Sequence, residues 1–447
     1  MKDTPRSENV CTKQRRIAEI ARQHRKQKLT ALNHHLDIQW LTEAYHRVRL
    51  DSAPGVDGQT VAEYGQHLEE NLPGLLDRAK SGRYVAPPVK RVHIPKDGSD
   101  ELRPIGMPTS EDKVLQRAVQ MLMEPIYEEE FHDFSYGFRP ERSPHQALAA
   151  FWQQAMKVGI RWVLEVDIRK YFDSVSRTKL MELVGQRIGD GVVLRLLSKW
   201  LHAGVMEEGQ VHYPEAGTPQ GGVISPLLSN IYLHEVFDQW FEHVVRERME
   251  GQVFGVRFAD DLVIGFTHQR DAERVYRVIF QRFEKYGLKL HPEKTRLVAF
   301  GRPEQLGPDG AGPREPGTFD FLGFTHYWGR SRKGSWIIKR KTAAKCLRRT
   351  LRAIGDWCRA HRHRGMLDQF KVLMQKLNGH YAYYGITGNG RSLEQVRTAT
   401  QKLWHKWLQR RSREPGALTW EEMNRYLKEH FVFPYAKVVH SIYEAKP

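Results

Sequence analysis

Three cysteines in 447 residues, at positions 11, 346 and 358 and with no CxxC among them, leave nothing from which to build a disulfide framework or a four-cysteine zinc site. A reduced, cytoplasmic setting follows as the expectation. Long hydrophobic runs are missing too. Nothing approaches the roughly 18 uninterrupted apolar residues of a membrane span, and the first 30 residues lack the apolar stretch of a signal peptide. No internal repeat is visible. Acidic charge runs short in one place only. Residues 330–447 hold 26 Lys and Arg against 8 Asp and Glu, a net charge of +18, whereas residues 1–329 sum to −1. So local an excess points to a polyanion held mainly by the C-terminal quarter, because clustered Lys and Arg displace the counterions condensed on a phosphate backbone.

What is present suffices for a sizeable core: 40% of the residues are apolar, and the length allows roughly three packed units. Residues 1–50 read as helical, with Ile17, Ile20 and Ala21, then Trp40, Leu41, Ala44 and Val48 at helical spacing, before the turn cluster DSAPGVDGQT. Residues 84–109 read as a hairpin around a KDG turn, carrying Lys90, Arg91, Lys96 and Arg103. The spacing then predicts a helix with Ser110 as its N-cap. RWVLEVDIRKYFDSV (161–175) is an apolar strand interrupted by Asp167, and GTPQGGVISPLLSNIYL (217–233) is a Gly-rich turn running into an apolar helix. VFGVRFADDLVIGF (253–266) reads as a hairpin with Asp260 and Asp261 at its bend, followed by an amphipathic helix and the return strand HPEKTRLVAFG.

Nine Gly or Pro among residues 301–317 mark a loop, and TFDFLGFTHYWG reads as a strand. From residue 340 the pattern predicts three helices with basic stripes. Lys341, Lys345, Arg348 and Arg352 lie on the first, and Lys402, Lys406 and Arg410 on the third. The interleaved Tyr381, Tyr383, Tyr384, Trp404 and Trp407 fit core positions better than base-stacking platforms. Cys358, His361 and His363 are too few and too irregularly spaced for a zinc site.

The chemistry centres on carboxylates inside apolar strands. Asp260 and Asp261 would repel each other and suffer desolvation unless a cation or a proton neutralised them. Asp167 completes the set if its strand neighbours theirs. Hard carboxylate oxygens without His or Cys select Mg²⁺ or Mn²⁺, ions that take their remaining ligands from water and substrate phosphates. Two such ions about 4 Å apart activate a 3′-hydroxyl and stabilise a leaving pyrophosphate. An Asp-Asp pair alone is usually an exposed turn, so the argument rests on its neighbouring motifs.

Those motifs carry a resemblance. FADD in VRFADDLVIGF is similar to the metal-binding signature of reverse transcriptases, VLEVDIRKYFDSV to their first catalytic-aspartate motif, and GTPQGGVISPLLSNIYL to their template- and nucleotide-positioning motif. ELRPIGMPTSEDKVLQRAVQMLMEPIYE, SYGFRP, GLKLHPEKT, FDFLGF and LNGHYAYYGITGN resemble more narrowly the reverse transcriptases encoded by group II introns, over roughly residues 50–440. The resemblance implies an α+β, right-hand polymerase fold. It assigns an N-terminal helical extension and the start of the fingers to 1–80, fingers and a palm with an antiparallel sheet to 81–329, and a basic α-helical thumb/maturase domain and tail to 330–447.

It also implies roles residue by residue. Asp167, Asp260, Asp261 and the Ile168 carbonyl would bind two Mg²⁺ ions, with Mn²⁺ as a substitute. Phe172 would be the steric gate against a ribose 2′-hydroxyl, and Gln220 would line the nucleotide pocket. Lys96 and Arg103 would grip the incoming triphosphate, with Lys294 close by. Lys341, Lys345, Arg348, Arg352, Lys402, Lys406 and Arg410 would hold RNA.

The implied activity is RNA-directed DNA polymerisation from dNTPs. The implied partners are intron RNA, an RNA/DNA hybrid and target DNA, in splicing and retrohoming near a bacterial nucleoid. No membrane partner is expected. No DNA-cleaving HNH domain is expected from a chain without cysteine pairs near Pro447. An RNA-binding splicing cofactor and a related enzyme serving host defence or a CRISPR system are alternative uses of the same motifs. FADD in place of the family's usual YADD keeps the ring and loses only a hydroxyl, so activity is expected to survive.

Overall fold

The structure, a computed structural model, describes residues 5–25, 27–95, 102–207, 209–213, 217, 221–305, 316–411 and 418–442. The described residues form strands β1 (Val89–Pro95), β2 (Leu102–Met107), β3 (Trp162–Val166), β4 (Val205–Glu207), β5 (Gln210–His212) and β6 (Val253–Phe258). These are followed by β7 (Asp261–Phe266), β8 (Arg296–Ala299), β9 (Phe319–Phe321), β10 (Phe324–Arg330) and β11 (Trp336–Thr342). They make three sheets, in the orders β2-β1-β4-β5, β6-β7-β3-β8 and β11-β10-β9. The architecture mixes helix and sheet, as expected.

The middle sheet is antiparallel throughout, with Val166 opposite Leu262 and Phe258 opposite Asp261. Side chains alternate across a pleated strand, so two consecutive residues serve two different cores. Leu164, Val166, Leu262 and Ile264 join a cluster built with the N-terminal helices, the helix Ser110–Glu128 and the helix Gln269–Lys285. Val163, Val256, Val263 and Val298 face the other way, into a cluster with the helices Pro144–Val158, Ala344–Ala360, Met366–Tyr384 and Gly390–Leu408. Apolar residues on both faces explain why these strands read as nearly unbroken hydrophobic runs. Tyr381, Tyr384 and Trp404 are buried in the second cluster, and Trp404 donates its indole N–H to Gln369 Oε1 at 3.0 Å.

The structure corrects three readings. Thr109, and not Ser110, is the N-cap of its helix: its hydroxyl accepts from Asp112 N at 3.2 Å, while Ser110 is already helical and donates to the Gln59 carbonyl. Lys341 lies on β11 and not on the first C-terminal helix, which begins at Ala344. The physical reason is tertiary pairing. β11 is zipped to β10 along its whole length, with Ile338, Arg340 and Thr342 turned inward. Finally, a fourth C-terminal helix, Trp420–Glu429, follows the three expected, and it starts from a capping box between Thr419 and Glu422.

Candidate active site

Strand pairing decides where the acidic residues go. β3 ends at Val166 and β7 begins at Asp261, and because Val166 pairs with Leu262, Asp167 emerges beside Asp261 at the same end of the sheet. Asp260 sits in the two-residue turn between β6 and β7. The preceding Ala259 has a left-handed backbone, φ 55°, which is uncommon for a residue with a Cβ. The backbone around Asp167 is pinned from the neighbouring segment: its N–H donates to Thr295 Oγ1 at 3.2 Å and its carbonyl accepts from His291 N at 2.8 Å.

The three carboxylates feel one another. Burial pushes the Asp261 carboxyl up to about 7, and the charges of Asp260 and then Asp167 push in the same direction. Burial raises Asp260 as well, with Arg103 pulling it down and Asp167 pushing it up. Asp261 opens onto a cleft of about 940 Å³ that Asp167, Arg103, Lys294 and Lys345 also line. Lys294 Nζ stands 3.8 Å from Asp167 Oδ2. Lys345 Nζ stands 3.7 Å from Asp320 Oδ2, so a residue expected only to bind RNA reaches the acidic site.

Among the described residues, no group of three or more His, Cys, Asp or Glu side chains is gathered closely enough to hold a metal ion on its own. The donor chemistry nonetheless suits a hard divalent cation: repelling carboxylate oxygens share a solvent-reached cleft, leaving ligand positions to water or phosphate.

Other expected residues fall nearby but off the cleft lining. Phe172 is half-buried, edge-on to Tyr171 with ring centroids 5.2 Å apart. Gly217 lies against it, at φ 96°, where a Cβ would come 3.1 Å from the Phe172 carbonyl oxygen. Gly221, at φ 117°, packs on β2, a Cβ there falling 2.5 Å from the Gly106 carbonyl oxygen. Gly217 thus packs on the segment of Phe172, and Gly221 on the strand of Arg103. Ile168 bridges Leu290 through Arg169 N to Lys289 O and His291 N to Asp167 O, and neither bond uses the Ile168 carbonyl. Arg348, Arg352, Lys402, Lys406 and Arg410 are exposed on C-terminal elements and do not line the cleft. Lys96 and Gln220 lie outside the described residues.

Sequence reasoning missed the support under the acidic turn. Arg257 in β6 is buried and grips Asp238, Nε to Oδ1 at 2.7 Å and Nη2 to Oδ2 at 2.5 Å. Its Nη1 donates to the Ala259 carbonyl at 3.1 Å and to Asn230 Oδ1 at 3.0 Å, and Asn230 Nδ2 donates to the Gly137 carbonyl at 2.6 Å. Burial would raise the Asp238 carboxyl, but the Arg257 charge, the His234 imidazole 3.5 Å away and the hydrogen bonds from Arg257 prevail and hold it at about 2. Asp238 is presented by a widened, π-type turn, His234–Gln239. The available signal was a charged residue at an inward position of an apolar strand. The cleft also takes Tyr383 and Tyr384 from the C-terminal helices, residues read only as core.

Residues 94–326 match the family described as reverse transcriptase (RNA-dependent DNA polymerase). The chain is 46% identical to protein YkfC of Escherichia coli (strain K12) over 209 residues, 45% of this chain and 54% of that protein. It is 44% identical to the group II intron-encoded protein LtrA of Lactococcus lactis subsp. cremoris over 168 residues, 38% of this chain and 28% of LtrA. It is 31% identical to the putative COX1/OXI3 intron 2 protein of Saccharomyces cerevisiae over 264 residues, 59% of this chain and 29% of that protein. The alignments thus span about half of the first relative and little more than a quarter of the other two. The matched region covers over half of the chain and runs from the end of β1 past the last strand of the acidic sheet, so the chain belongs to the reverse transcriptase family.

Proposed function

We propose that the chain is an RNA-directed DNA polymerase of the group II intron-encoded kind, which also binds intron RNA to assist splicing and retrohoming. One observation carries this reading: Asp167 and the Asp260–Asp261 turn meet at one end of an antiparallel sheet, where Asp167 and Asp261 line a cleft shared with Arg103 and Lys294. In this reading 1–80 contributes the N-terminal extension and the start of the fingers, 81–329 the fingers and palm, and 330–447 the thumb and maturase segment.

Asp167, Asp260 and Asp261 hold two Mg²⁺ ions, or Mn²⁺, with the Ile168 carbonyl as a further ligand. When bound, the ions supply activation of the primer 3′-hydroxyl and stabilisation of the departing pyrophosphate. Arg103 and Lys294 orient the triphosphate and offset its charge, together with Lys96. Phe172 excludes the ribose 2′-hydroxyl, and Gln220 lines the nucleotide pocket beside Gly221, whose lack of a Cβ permits the close backbone packing. Primer extension on an RNA template with Mg²⁺ and dNTPs tests the proposal. Templated DNA synthesis is expected, and its absence from the folded wild-type protein would overturn the reading.

The basic C-terminal elements support RNA holding as a second role that can coexist with synthesis. Lys345, Arg348 and Arg352 are exposed at helical spacing on one face, and Lys406 and Arg410 flank the Trp407 ring at 5.7 and 5.1 Å. Replacing Lys345, Arg348 and Arg352 together with Gln is expected to weaken RNA binding and reduce the slope of log K against log salt by roughly two, as three phosphate contacts are lost. An unchanged slope in a filter-binding titration would move the RNA face elsewhere.

A further inference from the structure

We propose that Arg257 is a positioning residue for the metal-binding turn: anchored on Asp238, it holds the carbonyl of left-handed Ala259 and so aims Asp260 and Asp261 into the cleft. This inference rests on the polymerase reading above, and it concerns residues that touch neither nucleotide nor metal.

The geometry leaves the turn little freedom. Arg257 is 1% exposed and Asp238 0%, so their charges are screened by protein alone and fixed by two parallel hydrogen bonds. The remaining guanidinium nitrogen, Nη1, is shared between the Ala259 carbonyl and Asn230 Oδ1. Asn230, 1% exposed, passes the constraint on to Gly137 through its amide. The chain of Gly137 runs directly against Ala259, and the paired backbones are further tied by Tyr136 N to Arg257 O at 2.8 Å and Arg257 N to Phe134 O at 2.9 Å. Ala259 is therefore held on both sides, by a charged donor from within its own hairpin and by a backbone from the SYGFRP segment. A left-handed alanine relaxes when such support is withdrawn, and it immediately precedes the two carboxylates.

A merely structural ion pair would leave metal binding alone once the protein is folded. Lysine at 257 keeps the charge beside Asp238 but has no planar fork with which to reach Asp238, Asn230 and the Ala259 carbonyl together. Folded Arg257→Lys is expected to show an unfolding midpoint near that of the wild type. Its Mn²⁺ affinity, read by electron paramagnetic resonance on the free protein, is expected to fall about tenfold, the scale of a lost orienting partner, with kcat falling while KM for dNTP holds. Arg257→Met combined with Asp238→Leu removes both buried charges at once, a change that folds often tolerate, and serves if the lysine variant does not fold. A folded variant with wild-type Mn²⁺ affinity and kcat overturns the proposal. So does failure of both variants to fold, since the pair would then serve folding and not aim. Wild-type primer extension is run alongside: no extension by the wild type refutes the polymerase reading, whereas extension by Arg257→Lys at the wild-type kcat and with wild-type Mn²⁺ affinity refutes only the positioning role.

Discussion

Replacing Asp260 and Asp261 together with alanine is expected to reduce templated primer extension by at least about 10³-fold, the scale on which charge positioned at a transition state acts. The protein should stay folded. Each carboxyl is raised by desolvation and then by its acidic neighbours, but Asp261 is exposed to the cleft and Asp260 is half-buried, so the ionised pair costs the folded state only a little. Removing it takes away repulsion and leaves the strand register intact, since Val166–Leu262 and Val256–Val263 pair through backbone and apolar faces. Thermal melting should therefore place the double variant at or above the wild-type midpoint. Normal synthesis by this variant would falsify the site assignment. RNA binding measured in parallel should be little changed, because Arg348, Arg352, Lys402, Lys406 and Arg410 are exposed outside the cleft lining and only Lys345 of that basic set reaches it; splicing assistance lost as completely as synthesis would show that the two roles share this site.

The second large effect is expected at a residue with no side chain. A Cβ on Gly137 would come 2.1 Å from Ala259 N and 2.8 Å from both Ala259 Cα and the Phe258 carbonyl carbon. Every one of those atoms is backbone, so nothing flexible can swing aside. Gly137→Ala must force the SYGFRP segment and the acidic turn apart, at a cost of about 2–4 kcal/mol in stability, in the range of core overpacking and strained-backbone substitutions. Activity should fall further than stability alone accounts for, because the displaced turn carries Asp260. Gly159→Ala is a demanding control: its φ of 64° is left-handed, a strain that Gly137 does not carry, but nothing lies within 4 Å of the added atom, so it should cost only about 1 kcal/mol. Urea unfolding of the two variants decides the matter, and equal losses would mean that the close approach at 137 bears no load.

Much of this was legible because the decisive signals are local. An apolar run broken by Asp167 and an apolar hairpin bent at Asp260–Asp261 are visible without knowing what surrounds them, and the strand and turn assignments there agree with the fold. The relation between them was not local. Nothing within residues 161–175 says that β3 lies between β7 and β8; that follows from how two cores claim opposite faces. Lys341 was misplaced for the same reason, since its helical spacing with Lys345 is real but β10 captures the segment first. Arg257 escaped notice because the single letter R in VRFADD reads as a solvent-facing charge, and only the fold brings Asp238 and Asn230 beneath it. Tyr383, Tyr384 and Lys345 were assigned to core or RNA when they also wall the acidic cleft, a dual use that periodicity cannot express.

The sharing of one sheet between two cores has a consequence for how such a chain can be divided or diversified. The border near residue 330 separates chemistries, with neutral charge balance before it and strong basicity after it, but it does not separate folding units. Val163, Val256 and Val263 lie in the same buried cluster as Ile354, Leu377 and Trp404 from helices beyond that border, and Trp152 Nε1 on the helix Pro144–Val158 donates to the Ile338 carbonyl across it. A catalytic half cut loose from its tail would present a bare greasy platform to water and stick to its own copies. Exchanging one basic tail for another is therefore expected to succeed only where the packing underside is preserved along with the charged exterior.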